Sequence, residues 1–106
     1  MINVTVLVDS EDCYCGLLMS GHAGYVDKHQ EGQELVCAAV SALTLNMANS
    51  VEHFTDAKFE AEIEEKSGIF HFRFIEKADA GAMLLMNSLV FGLLDIEESY
   101  GEPYIK

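Results

Sequence analysis

A cysteine and a histidine in the first third of the chain supply the groups of a thiol nucleophile and its base. Cys37 follows Gly32 and lies in what the pattern predicts to be the first turn of a helix, and His22 lies on a glycine-rich turn. A helix N-terminus carries partial positive charge and N–H groups without intrahelical acceptors, and both favour a thiolate over a thiol. A nearby imidazole can act as the base or as the cation of an ion pair. These residues indicate the chemistry of a small cysteine hydrolase.

Each of these residues also has a structural interpretation. Cysteine thiols are among the most buried groups in proteins, and Cys37 is followed by an apolar run typical of a helix core. His22 could satisfy a turn through its ring nitrogens, and His29 in the same loop is a rival base. A phosphatase would need an arginine in the loop after its cysteine, and residues 38–44 contain none. We therefore exclude phosphate chemistry at Cys37 and favour its role as a nucleophile.

A metal site is the second alternative. Cys13 and Cys15, together with His22 and Cys37, supply the residue types of a Cys₃His zinc site. Structural zinc sites usually have cysteines two to four residues apart on a tight turn, whereas Cys13 and Cys15 alternate on a predicted strand. We expect no metal and no cofactor. A zinc-binding structural domain would instead lose its fold on chelation.

Composition limits the partners of the chain. It has 106 residues, of which half are hydrophobic, and a formal net charge of −12. This length predicts a single domain over residues 1–106. The negative charge disfavours nucleic acids and anionic membrane surfaces, and it favours basic partners, although solubility alone would also explain it.

The first residues, the most apolar stretch and the cysteines of the chain indicate the cellular compartment of the protein. The first residues lack the basic and apolar regions of a signal peptide. The apolar stretch Ala82–Leu94 is shorter than the roughly 20 residues that span a bilayer. Without a secretion signal, the three cysteines are expected to be reduced. We expect a cytoplasmic protein that binds no membrane.

The periodicity of apolar residues predicts an α+β fold with the order β-β-α-β-β-α, in which two helices pack on a mostly antiparallel sheet. Asp79 is a candidate cap for the second helix, and Ser67-Gly68 fits a hairpin turn that requires positive φ. The predicted elements are strands over residues 2–8, 13–20, 57–64 and 70–74, and helices over about residues 33–54 and about residues 80–100. The second helix is apolar nearly all round, which favours a homodimer contact over a core helix covered on all sides.

Two separated segments resemble the motifs of a known family. They are Gly21-His22-Ala23, followed by a glycine, and Leu35-Val36-Cys37-Ala38-Ala39-Val40-Ser41-Ala42-Leu43. In this respect the chain resembles the bacterial ribosomal-processing cysteine protease family (Prp), and the order of its elements agrees with that family. The resemblance implies an endopeptidase with a Cys-His dyad. It implies that His22 is the motif histidine, that Cys37 is the nucleophile, and that Ser41 is the serine one turn later.

The resemblance also implies a substrate and an assembly state. The substrate would be the precursor of a basic large-subunit ribosomal protein, the twenty-seventh by the usual naming. Its N-terminal extension would be removed during ribosome maturation. The family looks homodimeric, in agreement with the apolar second helix. A non-catalytic acidic dimer that binds the same kind of ribosomal protein is the alternative function.

The chain departs from the family at two places. The family usually has Asp three residues before the cysteine, where this chain has Glu34. The loop between His22 and Cys37 also looks longer than is typical. We expect the stretch from Gly24 to Gly32 to act as a lid that moves when a peptide enters. Gly21 and Glu34 are candidate supports of the site, with backbone N–H groups near the start of the helix as oxyanion donors.

Overall fold

The fold is an α+β domain with the predicted order β-β-α-β-β-α. The computed structural model describes residues 2–21, 33–64 and 68–100, apart from the side chains of Gln33, Glu34 and Tyr100. Its elements are β1 (Asn3–Val8), β2 (Tyr14–Ser20), α1 (Gln33–Phe54), β3 (Phe59–Glu64), β4 (Ile69–Phe74) and α2 (Ala80–Tyr100). The predicted fold class is confirmed.

The four strands form one antiparallel sheet with the spatial order β1-β2-β4-β3. Residues that face each other across the sheet alternate between an apolar face and a mixed face. On the apolar face, Val6 lies opposite Leu17, Leu17 opposite Phe72, and Phe72 opposite Ala61. Leu17 and Phe72 are completely buried. The two-residue period of the strands therefore directs one row of side chains into the core.

Both helices bury apolar stripes in this same core. In α1, Val36, Val40, Met47 and Val51 are all buried and Leu43 packs against them. Their spacings of three and four residues place them on one side of the helix. α1 and α2 contact each other closely at Gly92, where a Cβ atom would lie 3.0 Å from Cδ1 of Leu43. A glycine at this point lets the two helices approach.

The N-terminus of α2 is capped by a side chain. Oδ1 of Asp79 accepts a hydrogen bond of 2.8 Å from the backbone N–H of Ala82. The Asp79 carbonyl accepts another, of 2.9 Å, from Met83. This is the N-cap that the sequence predicts, and it satisfies an N–H group that would otherwise lack a partner.

One face of α2 is apolar and exposed. Leu84, Phe91 and Leu94 are 69%, 76% and 57% exposed. Spacings of seven and three residues place these side chains on one side of the helix. A large exposed apolar face of this kind is typical of a protein contact.

By length and mean hydropathy alone, both helices could cross a membrane. The spans are Leu35–Phe54 and Ala80–Ser99, with mean hydropathies of 1.3 and 1.4. The second span is longer than the apolar stretch considered in the sequence, because the helix continues through the polar residues that follow it. Both helices also contribute buried side chains to the single hydrophobic core. Core helices of a folded domain meet the same length and hydropathy criteria.

Candidate active site

A cleft of about 230 Å³ lies between residues 37–45 of α1 and one end of the sheet. Cys37 and Ser41 belong to its wall, and so does Gly21 at the end of β2. The rest of the wall is mainly apolar. Its apolar side chains include Ile2, Met19, Val40, Leu45, Ile63, Ile69 and Phe70. The structure therefore brings together three of the residues that the sequence nominates for the site.

Cys37 is partly buried and is the fifth residue of α1. It begins the second turn of the helix, whereas the sequence pattern predicts a position inside the first turn. In a helix that begins at Gln33, the Cys37 N–H has an intrahelical acceptor in the Gln33 carbonyl. The N–H groups without such acceptors belong to residues 33–35 and the position before them. Oxyanion donors on α1 would therefore come from the turn that precedes the thiol.

Ser41 lies one turn after Cys37, as predicted, and its side chain is exposed on the cleft wall. Thr44 is also part of the wall but is only 1% exposed. Its hydroxyl donates to the Val40 carbonyl at 2.9 Å and lies 3.2 Å from the Ser41 carbonyl. A hydroxyl bonded back to its own helix serves local structure. Ser41 is therefore the better placed of the two to meet a ligand.

Two glycines of the cleft, Gly21 and Gly68, are in direct contact. Gly21 has φ of 91° and Gly68, in the turn between β3 and β4, has φ of 68°. A Cβ atom at Gly68 would lie 2.7 Å from the Gly21 carbonyl carbon and closer still to its oxygen. Side chains do not fit such a contact, and L-residues disfavour this backbone region. The β3–β4 turn thus packs directly against the residue that precedes His22.

Several predicted site residues lie outside the described part of the chain. They are His22, Gly24 and Gly32, together with the rival base His29. Glu34 lies in the first turn of α1, and its side chain is also outside the description. Contact between His22 and Cys37 therefore stays a prediction.

The other two cysteines lie elsewhere in the fold. Cys13 belongs to the turn between β1 and β2, where its N–H donates to Oδ1 of Asp9 at 3.0 Å, and Cys15 is in β2. Both are partly buried. Among residues 2–21, 33–64 and 68–100, no three His, Cys, Asp or Glu side chains are arranged to hold a metal ion.

Charged residues on the mixed face of the sheet lie opposite each other on β3 and β4. Nη2 of Arg73 donates to Oε2 of Glu60 at 3.1 Å, and Glu62 lies opposite His71. Both members of the Arg73–Glu60 pair are mostly exposed, so the pair contributes little stability. His71 faces away from the Cys37 cleft and is half-buried.

Glu64 and Gly68 line the cleft, although the sequence did not nominate either of them for the site. Glu64 is the last residue of β3. Strand alternation places Glu64 on the same face of β3 as Glu60 and Glu62. Its position at the end of the strand makes it part of the cleft that Cys37 and Ser41 also line. The Ser67-Gly68 turn was a visible signal for Gly68, but its contact with Gly21 was not.

An α+β domain with a thiol and a hydroxyl in one mainly apolar cleft has groups that a small cysteine hydrolase needs, but the fold alone does not define that function. Comparison with known proteins defines the class further. A sequence model of the family described as cysteine protease Prp matches residues 1–106. The chain belongs to the cysteine protease Prp family, and it is a cysteine protease.

Two relatives carry the same name, ribosomal processing cysteine protease Prp. The protein of Bacillus subtilis (strain 168) is 31% identical over 104 residues, which cover 94% of this chain and 90% of the relative. The protein of Staphylococcus aureus (strain NCTC 8325) is 29% identical over 102 residues, which cover 96% and 93%.

Two solved structures of the Staphylococcus aureus protease resemble this chain. The structure with a covalently linked product peptide has a TM-score of 0.86 and 28% identity, and the match covers 100% of this chain and 96% of that one. The structure with a substrate peptide has a TM-score of 0.85 and 26% identity, with the same coverage.

Proposed function

We propose that this protein is an endopeptidase with a His22–Cys37 dyad that removes the N-terminal extension of a basic large-subunit ribosomal protein precursor. The observation that carries the proposal is the shared cleft of Cys37 and Gly21, because Gly21 directly precedes His22. Membership of the Prp family supports it. The Staphylococcus aureus structures with product and substrate peptides support a peptide as the ligand.

The reaction is acyl transfer through a thioester. His22 takes the Cys37 proton, and the thiolate attacks the carbonyl carbon of the scissile peptide bond. The oxyanion of the tetrahedral intermediate accepts hydrogen bonds from N–H groups at the start of α1, in residues 33–35. When the intermediate collapses, the C–N bond breaks and the His22 imidazolium protonates the leaving amine. Water, deprotonated by His22, then hydrolyses the thioester and frees Cys37.

Three residues support this chemistry in the proposal. Gly21 gives the His22 ring room to approach the thiol, and its backbone is held by the β3–β4 turn at Gly68. Ser41, exposed one turn beyond Cys37, hydrogen-bonds to the bound peptide. Glu34 takes the place of the family's usual Asp in the first turn of α1. The stretch from Gly24 to Gly32 is the lid that the peptide must displace.

Charge supports a basic substrate. The chain carries a formal net charge of −12, and acidic proteins attract basic partners over long distances at low salt. Ribosomal proteins that bind RNA carry the complementary positive charge. We place the reaction in the cytoplasm, where such precursors are made.

The exposed apolar face of α2 supports a homodimer. Leu84, Phe91 and Leu94 lie on one side of this helix and are more than half exposed. In a two-fold dimer the same side of a second α2 would cover them. Sedimentation of the wild type and of Phe91→Glu tests this: the wild type should be a dimer, and the variant a folded monomer.

The function is tested by incubating the extended ribosomal protein of the host with the protein and measuring the products by mass spectrometry. The wild type should make a single cut near the N-terminus, and Cys37→Ala should make none. Cys15→Ala is the matched control, since it removes a partly buried thiol outside the cleft. If neither the wild type nor Cys15→Ala cuts an extended substrate, the non-catalytic binding module becomes the better explanation.

A further inference from the structure

Glu64 is the charged residue in the wall of the Cys37 cleft among the residues that the structure describes. It ends β3, an edge strand of the sheet, and its side chain is exposed. The remaining described wall is apolar or carries small polar groups. A single carboxylate in the wall of an otherwise mainly apolar cleft favours a ligand that carries a positive charge at that point.

The strand register separates Glu64 from the two other glutamates of β3. Glu60 lies opposite Arg73 and forms an ion pair with it, and Glu62 lies opposite His71. Glu64 lies opposite Ile69, an apolar residue. Within residues 2–21, 33–64 and 68–100, the structure shows no cation within ion-pair distance of the Glu64 carboxylate.

A cation on the substrate would complete this arrangement. A basic side chain entering the cleft would meet the carboxylate near apolar walls, where attraction between charges is stronger than in bulk water. Such a contact discriminates between substrates mainly by charge complementarity. It would also fix the register of the peptide relative to Cys37, because both residues line the same cleft.

We propose that Glu64 is a specificity residue that binds a lysine or arginine of the substrate close to the scissile bond. The inference rests on the proposed protease function and names the charge that its cleft selects.

The test compares Glu64→Gln with the wild type on a peptide that spans the cleaved junction of the host precursor. Further peptides replace each lysine or arginine by glutamine, one at a time. Glu62→Gln is the matched control, since it removes the same charge one pleat away and outside the cleft. On the parent peptide, kcat/KM of Glu64→Gln should fall about fivefold, the upper range for an exposed ion pair, while Glu62→Gln stays within about twofold of the wild type.

The decisive result is whether the loss of kcat/KM in Glu64→Gln depends on which lysine or arginine the peptide retains. One glutamine peptide should be cleaved about equally by the wild type and Glu64→Gln, because the pair is already broken. An equal loss on every peptide, or no loss on any, would overturn the inference while cleavage by the wild type still stands. If the wild type cleaves none of the peptides, the proposed function itself is wrong and the inference is lost with it.

Discussion

The two helices begin in different ways, although they have nearly the same length. α2 begins directly after Asp79, the N-cap residue, whose side chain and carbonyl accept hydrogen bonds from the first turn. α1 is preceded in the sequence by Gly32, a residue type without a side-chain acceptor, and Cys37 is the fifth residue of this helix. A side-chain cap adds stability to a helix start, whereas N–H groups at a helix start without such a cap can bind a ligand. We therefore expect the start of α2 to serve stability and the start of α1 to serve the proposed chemistry.

The largest expected effect is the loss of kcat/KM when the proposed base is removed. His22→Ala removes the base, so kcat/KM should fall by about a thousandfold or more, in the range of general-base catalysis. The melting temperature should stay near that of the wild type. His71→Ala, on the mixed face of the sheet, is the control and should keep its activity. Comparable losses in both variants would mean that His22 has no special role.

A cap added to α1 should cost activity. In Gly32→Asp, the new carboxylate would compete for the N–H groups that we assign to the oxyanion, so kcat should fall about tenfold or more. Gly32→Ala is the matched control, because it adds a side chain without an acceptor. If steady-state assays show the same kcat for Gly32→Asp and Gly32→Ala, the N–H groups of α1 are not the oxyanion donors.

The cap of α2 should affect stability alone. Asp79→Ala leaves the Ala82 N–H without its acceptor and should cost about 1 kcal/mol, or roughly 4–8 °C in melting temperature. Asp79→Asn keeps an acceptor and should lose much less. Thermal unfolding and peptide cleavage are measured on the same samples. A large loss of kcat/KM in Asp79→Ala would show that the two helix starts are not separate in function.

The smallest expected effect is that of salt. If the negative charge of the protein attracts its substrate, kcat/KM for a basic peptide should fall roughly threefold when ionic strength rises from about 0.01 M to 0.15 M, because the screening length shortens from about 30 Å to 8 Å. A peptide without lysine or arginine serves as the control. Equal salt dependence for both peptides would remove the argument from charge.

Much of the fold was predictable, because its signals are local. The 3.6-residue period and the Asp79 cap predicted both helices, Gln33–Phe54 and Ala80–Tyr100, with the bounds that the structure has. Strand alternation predicted the two hairpins. The order of the strands in the sheet needed the structure, since β4 lies between β2 and β3 and local patterns do not encode which hairpin edges meet.

The candidate site was predictable only where a motif marks it. Cys37 and Ser41 follow from helix periodicity and the family resemblance, and the structure places both on one cleft wall. The contact of Gly68 with Gly21 and the position of Glu64 depend on how distant segments approach each other. No spacing within a single element could predict them.

The most direct test of the account is the rate at which each cysteine is alkylated by iodoacetamide at mildly acidic pH, followed residue by residue with mass spectrometry. If His22 activates Cys37 as the proposed dyad requires, Cys37 should react at least about tenfold faster than Cys13 and Cys15. His22→Ala should remove most of this advantage. Similar rates for all three cysteines in the wild type would contradict the assignment of Cys37 as the activated nucleophile.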